Sequence, residues 1–412
     1  MEKVDYLIIG GGVAGVTAAE TIRENDSQSS VAIISDENEP LYSRIQLPHY
    51  LRSEFGLGGV YLRKWENYQQ KNIRIFAPKT ASALDTESKI LTLDDGQKLI
   101  FSKLLIASGS KLNTLSLPGS NLKGVHYLRT ITDANSILES MKEAKAATVI
   151  GGGFIGLEFA HTFAENGLKT TFLILEPYFW QKMWDETSGK LVEKILGEYG
   201  IKCLVNEETA SFVGNERVEE LITKSGKTIS TQIVGIGIGV RSSLEYLVGT
   251  SVNLEKNAVL VNEYLETNVE NIWAAGDITK FKDAVLNKAH QMGNWRNALA
   301  QGRRVGLNMV GQKEPFKQVS VYTIKFFEAT VSFVGDVYTS PETQIISRGS
   351  IENNSYGRIL LRGGRIVGAT LINLLTDRLA ISQLIEEKSD ISTFKEKIGN
   401  LNFDLKGLVS GK

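Results

Sequence analysis

Short apolar runs closed by glycine recur along this chain and predict its elements. Tyr6 to Ile9 suits an interior parallel strand, Gly10 opens a turn, and a helix-compatible stretch runs to about Asn25 before a second strand, Val31 to Ile34. EPLYSRIQLPHYL, Glu39 to Leu51, reads as a loop entering a short helix. From Ile73 to Ile106 the pattern gives short strands with a turn at Asp94, Asp95 and Gly96, a three-stranded excursion returning through LLIASG, Leu104 to Gly109. Leu112 to Asp133 is a connection, with Pro118 and Gly119 marking a loop. Ala147 to Phe163 repeats the strand, turn and helix pattern, followed by a strand at Thr170 to Leu175. QIVGIGIGV, Gln232 to Val240, is predicted as one strand, and NIWAAGDI, Asn271 to Ile278, comes after it. A helix is expected from about Lys288 to Met309, capped by Gly311. Beyond Pro315, segments such as VYTIKFF, VSFVGDV and RIVGATLI alternate like antiparallel strands, and helices at Asp377 to Lys388 and Ile391 to Lys397 close an α+β domain.

The turns carry the first chemical signal. Gly10, Gly12 and Gly15 fall at the spacing GxGxxG. Gly10 permits the tight turn, Gly12 lets a pyrophosphate approach bare backbone, and Gly15 lets the helix pack close to the strand. Free N–H groups at the helix start then face the phosphates. Asp36 lies 21 residues past Gly15, where a ribose-binding acid is expected. Alone, this motif also fits an ordinary strand-to-helix corner. Its recurrence as Gly151, Gly153 and Gly156, 141 residues after the first copy, favours two dinucleotide sites. The fold class expected is α/β, with two Rossmann-like dinucleotide-binding domains and a C-terminal α+β domain.

Composition narrows the partners. Lys and Arg number 46 and Asp and Glu 47, for a net charge of -1, so bulk charge points to neither nucleic acid nor an anionic membrane. No apolar run reaches the roughly 18 residues of a membrane span, and the N-terminus enters a strand at once, so a cytoplasmic protein is expected. With one cysteine, Cys203, the chain has no internal disulfide, thiolate zinc cluster or CxxC pair, and its four histidines are scattered, so no metal site is expected.

Taken in order, these motifs resemble the FAD-dependent pyridine nucleotide oxidoreductases, within them the ferredoxin reductase, rubredoxin reductase and nitrite-reductase flavoprotein branch. The resemblance covers nearly the whole chain. It implies that the first glycine turn binds FAD and the second NAD(P)H, that LLIASG corresponds to the family's ATG segment, and that Asp277 in WAAGDI hydrogen-bonds the ribityl chain. The implied domains are 1–113 with 237–315 for FAD, 114–236 for the nicotinamide cofactor, and 316–412 as an interface domain. Cofactor contacts carried over are Gly10, Gly12, Val13, Ala14, Gly15, Asp36, Glu37, Arg44, Ala81, Ala107, Ser108, Gly109, Arg129, Gly237, Gly276 and Asp277. For the second turn they are Gly151, Gly153, Phe154, Ile155, Gly156, Glu158 and Glu176.

Glu158 matches the family glutamate beside the nicotinamide and flavin, and could also be a carboxylate favoured by its helix N-terminus. Relatives commonly place a lysine five residues after the arginine matched by Arg44, where it pairs with that glutamate. Here the residue is His49, which either pairs with Glu158 and makes reduction pH-sensitive or packs in its loop. Glu176 would accept from a 2′-hydroxyl and repel a 2′-phosphate, which favours NADH, while nearby Lys182 leaves NADPH open. Tyr42, Ser43 and Arg44 stand where disulfide- or peroxide-reducing relatives carry cysteine, and Cys203 reads as core of a strand. Electrons therefore have no thiol exit. The expected activity is hydride transfer from NAD(P)H to FAD and single-electron transfer to a ferredoxin- or rubredoxin-type carrier, by a monomer or homodimer. An NADH oxidase or a reductase of quinone or another diffusible acceptor is the enzymatic rival. An NADH-sensing flavoprotein resembling apoptosis-inducing factor is the reading from another class. Arg303, Arg304, Lys313 and Lys317 form either a solvated face or an attraction for an acidic carrier.

Overall fold

The structure is a computed structural model that describes residues 1–283 and 285–409. The chain forms two compact units: Met1–Ser43, Leu57–Lys111 and Val240–Gln318 make the first, and Arg44–Gly56, Leu112–Gly239 and Val319–Lys412 the second.

In the first unit, strand Glu2–Ile9 lies between Val31–Ile34 and Lys98–Ile106, and Ile73–Phe76 extends the sheet beyond Val31–Ile34. These pairs are parallel, as is the pairing of Ile272–Ala274 with Lys98–Ile106. Register brings the strand ends into line. Ile9 stands beside Ile34 and Ile106, and Ile106 beside Ala274, so four strands end level. The segments leaving those ends are the first glycine turn, Ser35–Asp36, Ala107–Gly109 and Ala275–Asp277. Separated widely in sequence, they share the carboxyl edge where open α/β sheets place ligands. The excursion Ala81–Asp85, Ile90–Leu93 and Lys98–Ile106 pairs antiparallel, as its turn signals require.

Two predicted boundaries are corrected. Helix Trp295–Met309 begins later than expected, and Lys288–Gln291 is instead a strand antiparallel to Thr279–Asp283. Asn294 sets the boundary, its side chain capping the helix by accepting from the Asn297 N–H at 2.8 Å. The helix packs on Val13–Asn25 closely enough that a Cβ at Gly302 would lie 2.4 Å from the Ala14 carbonyl oxygen. QIVGIGIGV is two strands, Ile233–Ile236 and Val240–Ser242, because Gly239 between them has φ +88°.

The second unit holds a parallel sheet in the order Lys202–Leu204, Lys169–Leu173, Ala146–Ile150, Ile233–Ile236, Val125–His126. Ile150 is again level with its neighbours, Leu173 and Ile236. The expected antiparallel strands past Pro315 are present as one five-stranded sheet, running Val321–Phe326, Ala329–Gly335, Arg365–Ile372, Ser355–Arg362, Gln344–Ser350. Helix Asp377–Glu386 buries Ala380, Ile381, Leu384 and Ile385 against it.

Arg348 ties this sheet to the C-terminal segment. Its buried guanidinium donates to Asp377 Oδ2 at 2.7 Å and to the carbonyl oxygens of Ile398 at 2.8 Å and Phe403 at 3.0 Å. Arg348→Leu leaves the Asp377 carboxylate buried without its cation and is expected to cost about 3 kcal/mol or more. Thermal melting should show that loss, with faster proteolysis after residue 398.

Candidate functional site

The first turn is built by contacts that exclude side chains. Gly10 has φ +121°, and a Cβ there would lie 2.1 Å from the Ala107 carbonyl oxygen; one at Gly15 would lie 2.0 Å from the oxygen of Gly10. Gly12 differs, since a Cβ there meets nothing within 4 Å. The space above Gly12 is thus left open by the protein itself. Val13, Ala14 and Gly15 form the buried first turn of the helix, which has neither a side-chain cap nor an acidic residue in that turn. Its N–H groups and dipole suit an anion such as a pyrophosphate.

The level strand ends bring several of the other expected FAD contacts around this turn. Ser35 lies against Gly11, Asp36 is exposed, and half-buried Glu37 accepts from the Tyr42 hydroxyl at 2.5 Å. Lys79 N–H donates to the Ser35 carbonyl oxygen at 2.7 Å, which sets Ala81 nearby at the bulged start of its strand. Ala107 is buried, Ser108 Oγ donates to the Ser243 carbonyl oxygen at 2.9 Å, and Gly109 turns with φ +65°. Gly276 approaches Ala14 and donates its N–H to Gln301 Oε1 at 2.7 Å. Among the described residues, Gln301 Nε2 is buried with no partner, a donor that a bound group can satisfy. The Asp277 carboxylate receives the Ser110 hydroxyl at 3.3 Å. An open cradle, an uncapped helix, an orphaned donor and a carboxylate fit a flavin dinucleotide.

The second turn has the same construction. Gly151 has φ +100°, and its Cβ would come 2.5 Å from the Gly237 oxygen; a Cβ at Gly156 would come 2.0 Å from the Gly151 oxygen. Gly153 has only the Gly237 oxygen in range, at 3.7 Å. Helix Phe154–Glu165 again lacks a side-chain cap and an acid in its first turn. Ile155 is half-buried, and the Phe154 ring is boxed by Trp180, Tyr322 and Phe333 at centroid distances of 5.1, 4.4 and 5.3 Å. Glu176 is exposed beyond the adjacent strand, as is Lys182, whereas Ile174 points inward beside Gly152. A nicotinamide dinucleotide fits this cradle.

One helical turn further along, Glu158 is held by a residue that the sequence pattern did not single out. Arg52 Nη1 donates to Glu158 Oε2 at 2.8 Å, and the Arg52 side chain is 1% exposed. His49 is not the direct partner of Glu158. Its Nδ1 lies 2.7 Å from Glu54 Oε2 and 3.1 Å from Arg52 Nη2. Spacing could have revealed Arg52, which caps the short helix Leu47–Leu51 three residues after His49, just beyond the segment EPLYSRIQLPHYL. Burial pushes the Glu158 carboxyl above its usual range and Arg52 opposes it. Burial, then the nearby Glu158, raises the Tyr322 phenol, and burial with Arg52 lowers His161 to about 4. Arg44 and Arg129 meet, Arg44 Nη1 donating to the Arg129 carbonyl oxygen at 2.7 Å.

Cys203 is not core as expected: it is half-buried in the edge strand Lys202–Leu204, where desolvation still pushes its thiol up to about 12. Of the basic residues considered for docking, Arg304 pairs with Glu314 at 2.8 Å and Lys313 with Glu266 at 2.9 Å. Among the described residues, no group of three His, Cys, Asp or Glu is placed to hold a metal ion, and no helix is long and apolar enough to cross a membrane.

The glycines separate packing from binding. Gly12→Ala and Gly153→Ala are expected to melt like the wild type while weakening, by roughly tenfold or more, FAD and NADH affinity respectively, because the new methyl fills the ligand's path. Gly15→Ala and Gly156→Ala should instead destabilise the fold by about 1–3 kcal/mol or more through overpacking. Thermal melts, bound-flavin absorbance and NADH titration check both pairs.

Comparison with known proteins agrees with this geometry. The chain is 28% identical over 395 residues to the NAD(P)H nitrite reductase of Bacillus subtilis (strain 168), covering 95% of this chain and 48% of that protein, so it spans about half that relative's length. It is 26% identical over 413 residues to rhodocoxin reductase of Rhodococcus erythropolis, covering 98% and 94%. A crystal structure of a ferredoxin reductase from Rhodopseudomonas palustris superposes with a TM-score of 0.90 at 25% identity, over 98% of this chain and 100% of that one. The profile of the pyridine nucleotide-disulphide oxidoreductases matches residues 4–302, and the chain belongs to that family.

Proposed function

We propose that this chain is an NAD(P)H-dependent FAD oxidoreductase that passes electrons to a small carrier protein of the ferredoxin or rubredoxin type. The observation that carries the reading is the presence of two open glycine cradles, at Gly12 and Gly153, in a chain whose one thiol is half-buried in an edge strand and held protonated there. The names of rhodocoxin reductase and the ferredoxin reductase support it.

Residues 1–113 with 237–315 hold FAD in this reading, 114–236 hold the nicotinamide cofactor, and 316–412 form the interface domain. When bound, flavin supplies a two-electron acceptor that can release electrons singly. The chain's own part is binding and orientation. Gly12 and the uncapped helix behind it receive the FAD pyrophosphate, Asp277 the ribityl hydroxyls, and Gly153 the nicotinamide dinucleotide's phosphates. Glu176 accepts from the adenosine 2′-hydroxyl, which favours NADH. Glu158 lies beside the nicotinamide. In this reading the protein works in the cytoplasm, where reduced nicotinamide cofactors and small carriers meet.

Anaerobic turnover with NADH and purified ferredoxin or rubredoxin tests this function. Reduction of one of these carriers is expected to outpace oxygen consumption measured in air, whereas turnover with oxygen or quinone alone would make the chain an oxidase or diffusible-acceptor reductase. NADH is expected to exceed NADPH in kcat/KM. Cys203→Ser should leave carrier reduction unchanged, because a half-buried thiol held protonated takes no part in electron transfer.

A further inference from the structure

Arg52 is a fixed cation placed where the protein must neutralise it. Its guanidinium is buried, and three carboxylates approach it: Glu158 Oε2 at 2.8 Å from Nη1, Glu54 Oε1 at 2.8 Å from Nε, and Glu165 Oε2 at 3.5 Å from Nε. They differ in burial, with Glu54 and Glu165 side chains 44% and 52% exposed against 14% for Glu158. Water can solvate the first two, so the charge that most needs Arg52 is that of Glu158. Glu54 meanwhile fixes the guanidinium through Nε at 2.8 Å, and His49 Nδ1, 2.7 Å from Glu54 Oε2, holds that carboxylate in place. Arginine presents a rigid planar fork and stays protonated, so it can aim a carboxylate without exchanging protons with it.

We propose that Arg52 is the positioning residue of the nicotinamide site: clamped by Glu54 and His49, it holds the Glu158 carboxylate ionised and oriented for hydride transfer. The assignment rests on the proposed reduction by NADH, with Glu158 beside the nicotinamide. Facing Glu158 are Arg52, His49 and Glu54 from the 44–56 segment and the Tyr322 phenol from strand Val321–Phe326, while His161 on its own helix pairs with Glu165 and faces Lys325. Of these, among the described residues, Arg52 alone bonds the carboxylate. Burial raises Glu158 and Arg52 lowers it, so removing Arg52 takes away the opposing influence. Glu158 then protonates at higher pH, and any rate that needs the carboxylate loses its acid limb at higher pH.

The test uses the FAD-loaded protein and its variants R52Q, R52K, E158Q and R52Q/E158Q. Infrared titration of the carboxylic C=O band, assigned by its loss in E158Q, reads Glu158 directly without turnover. In R52Q its midpoint should move up by about one pH unit or more, while R52K keeps it near the wild-type position. Stopped-flow reduction of the flavin by NADH should slow by roughly ten- to a hundredfold in R52Q, with the acid limb displaced in the same direction. The double variant should be no slower than E158Q, since Arg52 acts through Glu158. A Glu158 midpoint unmoved in R52Q overturns the hold of Arg52 on Glu158. A midpoint that moves while every variant is reduced at the wild-type rate overturns the place of Glu158 in the nicotinamide site. R52K retains the charge and separates loss of folding from loss of the pair: a folded R52K with the R52Q midpoint also contradicts the proposal.

Discussion

Both glycine turns depend on a helix approaching a strand more closely than any Cβ permits. A side chain at Gly15 would reach within 2.0 Å of the Gly10 oxygen, and one at Gly156 within 2.0 Å of the Gly151 oxygen. That approach aims the uncapped helix start at the space above Gly12 or Gly153, where the protein places little or nothing of its own. Parallel register supplies the rest. Because Ile9, Ile34, Ile106 and Ala274 end level, Asp36, Ser108 and Asp277 converge on one edge of the sheet without being near in sequence.

Electrostatics divide the two turns. Around the first, Asp277 and Glu37 accept from the Ser110 and Tyr42 hydroxyls. Behind the second, Glu158 is buried against a guanidinium, an arrangement whose desolvation is costly and whose loss would strand a charge. Such a pair is a weak device for stability alone. It is better suited to fixing the position and ionisation of one carboxylate, which is a requirement of chemistry rather than of packing. Cys203, by contrast, is kept neutral by burial.

Much of this arrangement was legible in the sequence because its causes are local. Tyr6–Ile9, Val31–Ile34 and the glycine spacing identify strand, turn and helix from neighbouring residues, and the repeat at Gly151 supports both copies. Tertiary partners decided what was misread. Lys288–Gln291 is a strand because Thr279–Asp283 pairs with it, which its own composition does not announce. Arg52 is not legible in the sequence because its partner Glu158 is 106 residues away, and the linear spacing from Arg44 points to His49 instead. Likewise Gln301 reads as a polar helix residue, and only the approach of Gly276 makes it part of the first site.

In the proposed function flavin is the sole two-electron store and electrons leave it without a thiol. Anaerobic titration of the purified yellow protein with NADH tests this most directly, monitored through the flavin's visible absorbance. One equivalent of NADH per FAD should bleach the flavin completely, with no further uptake. A requirement for two equivalents, a long-wavelength band from a thiolate beside the flavin, or the isolation of a protein that binds no FAD would contradict it.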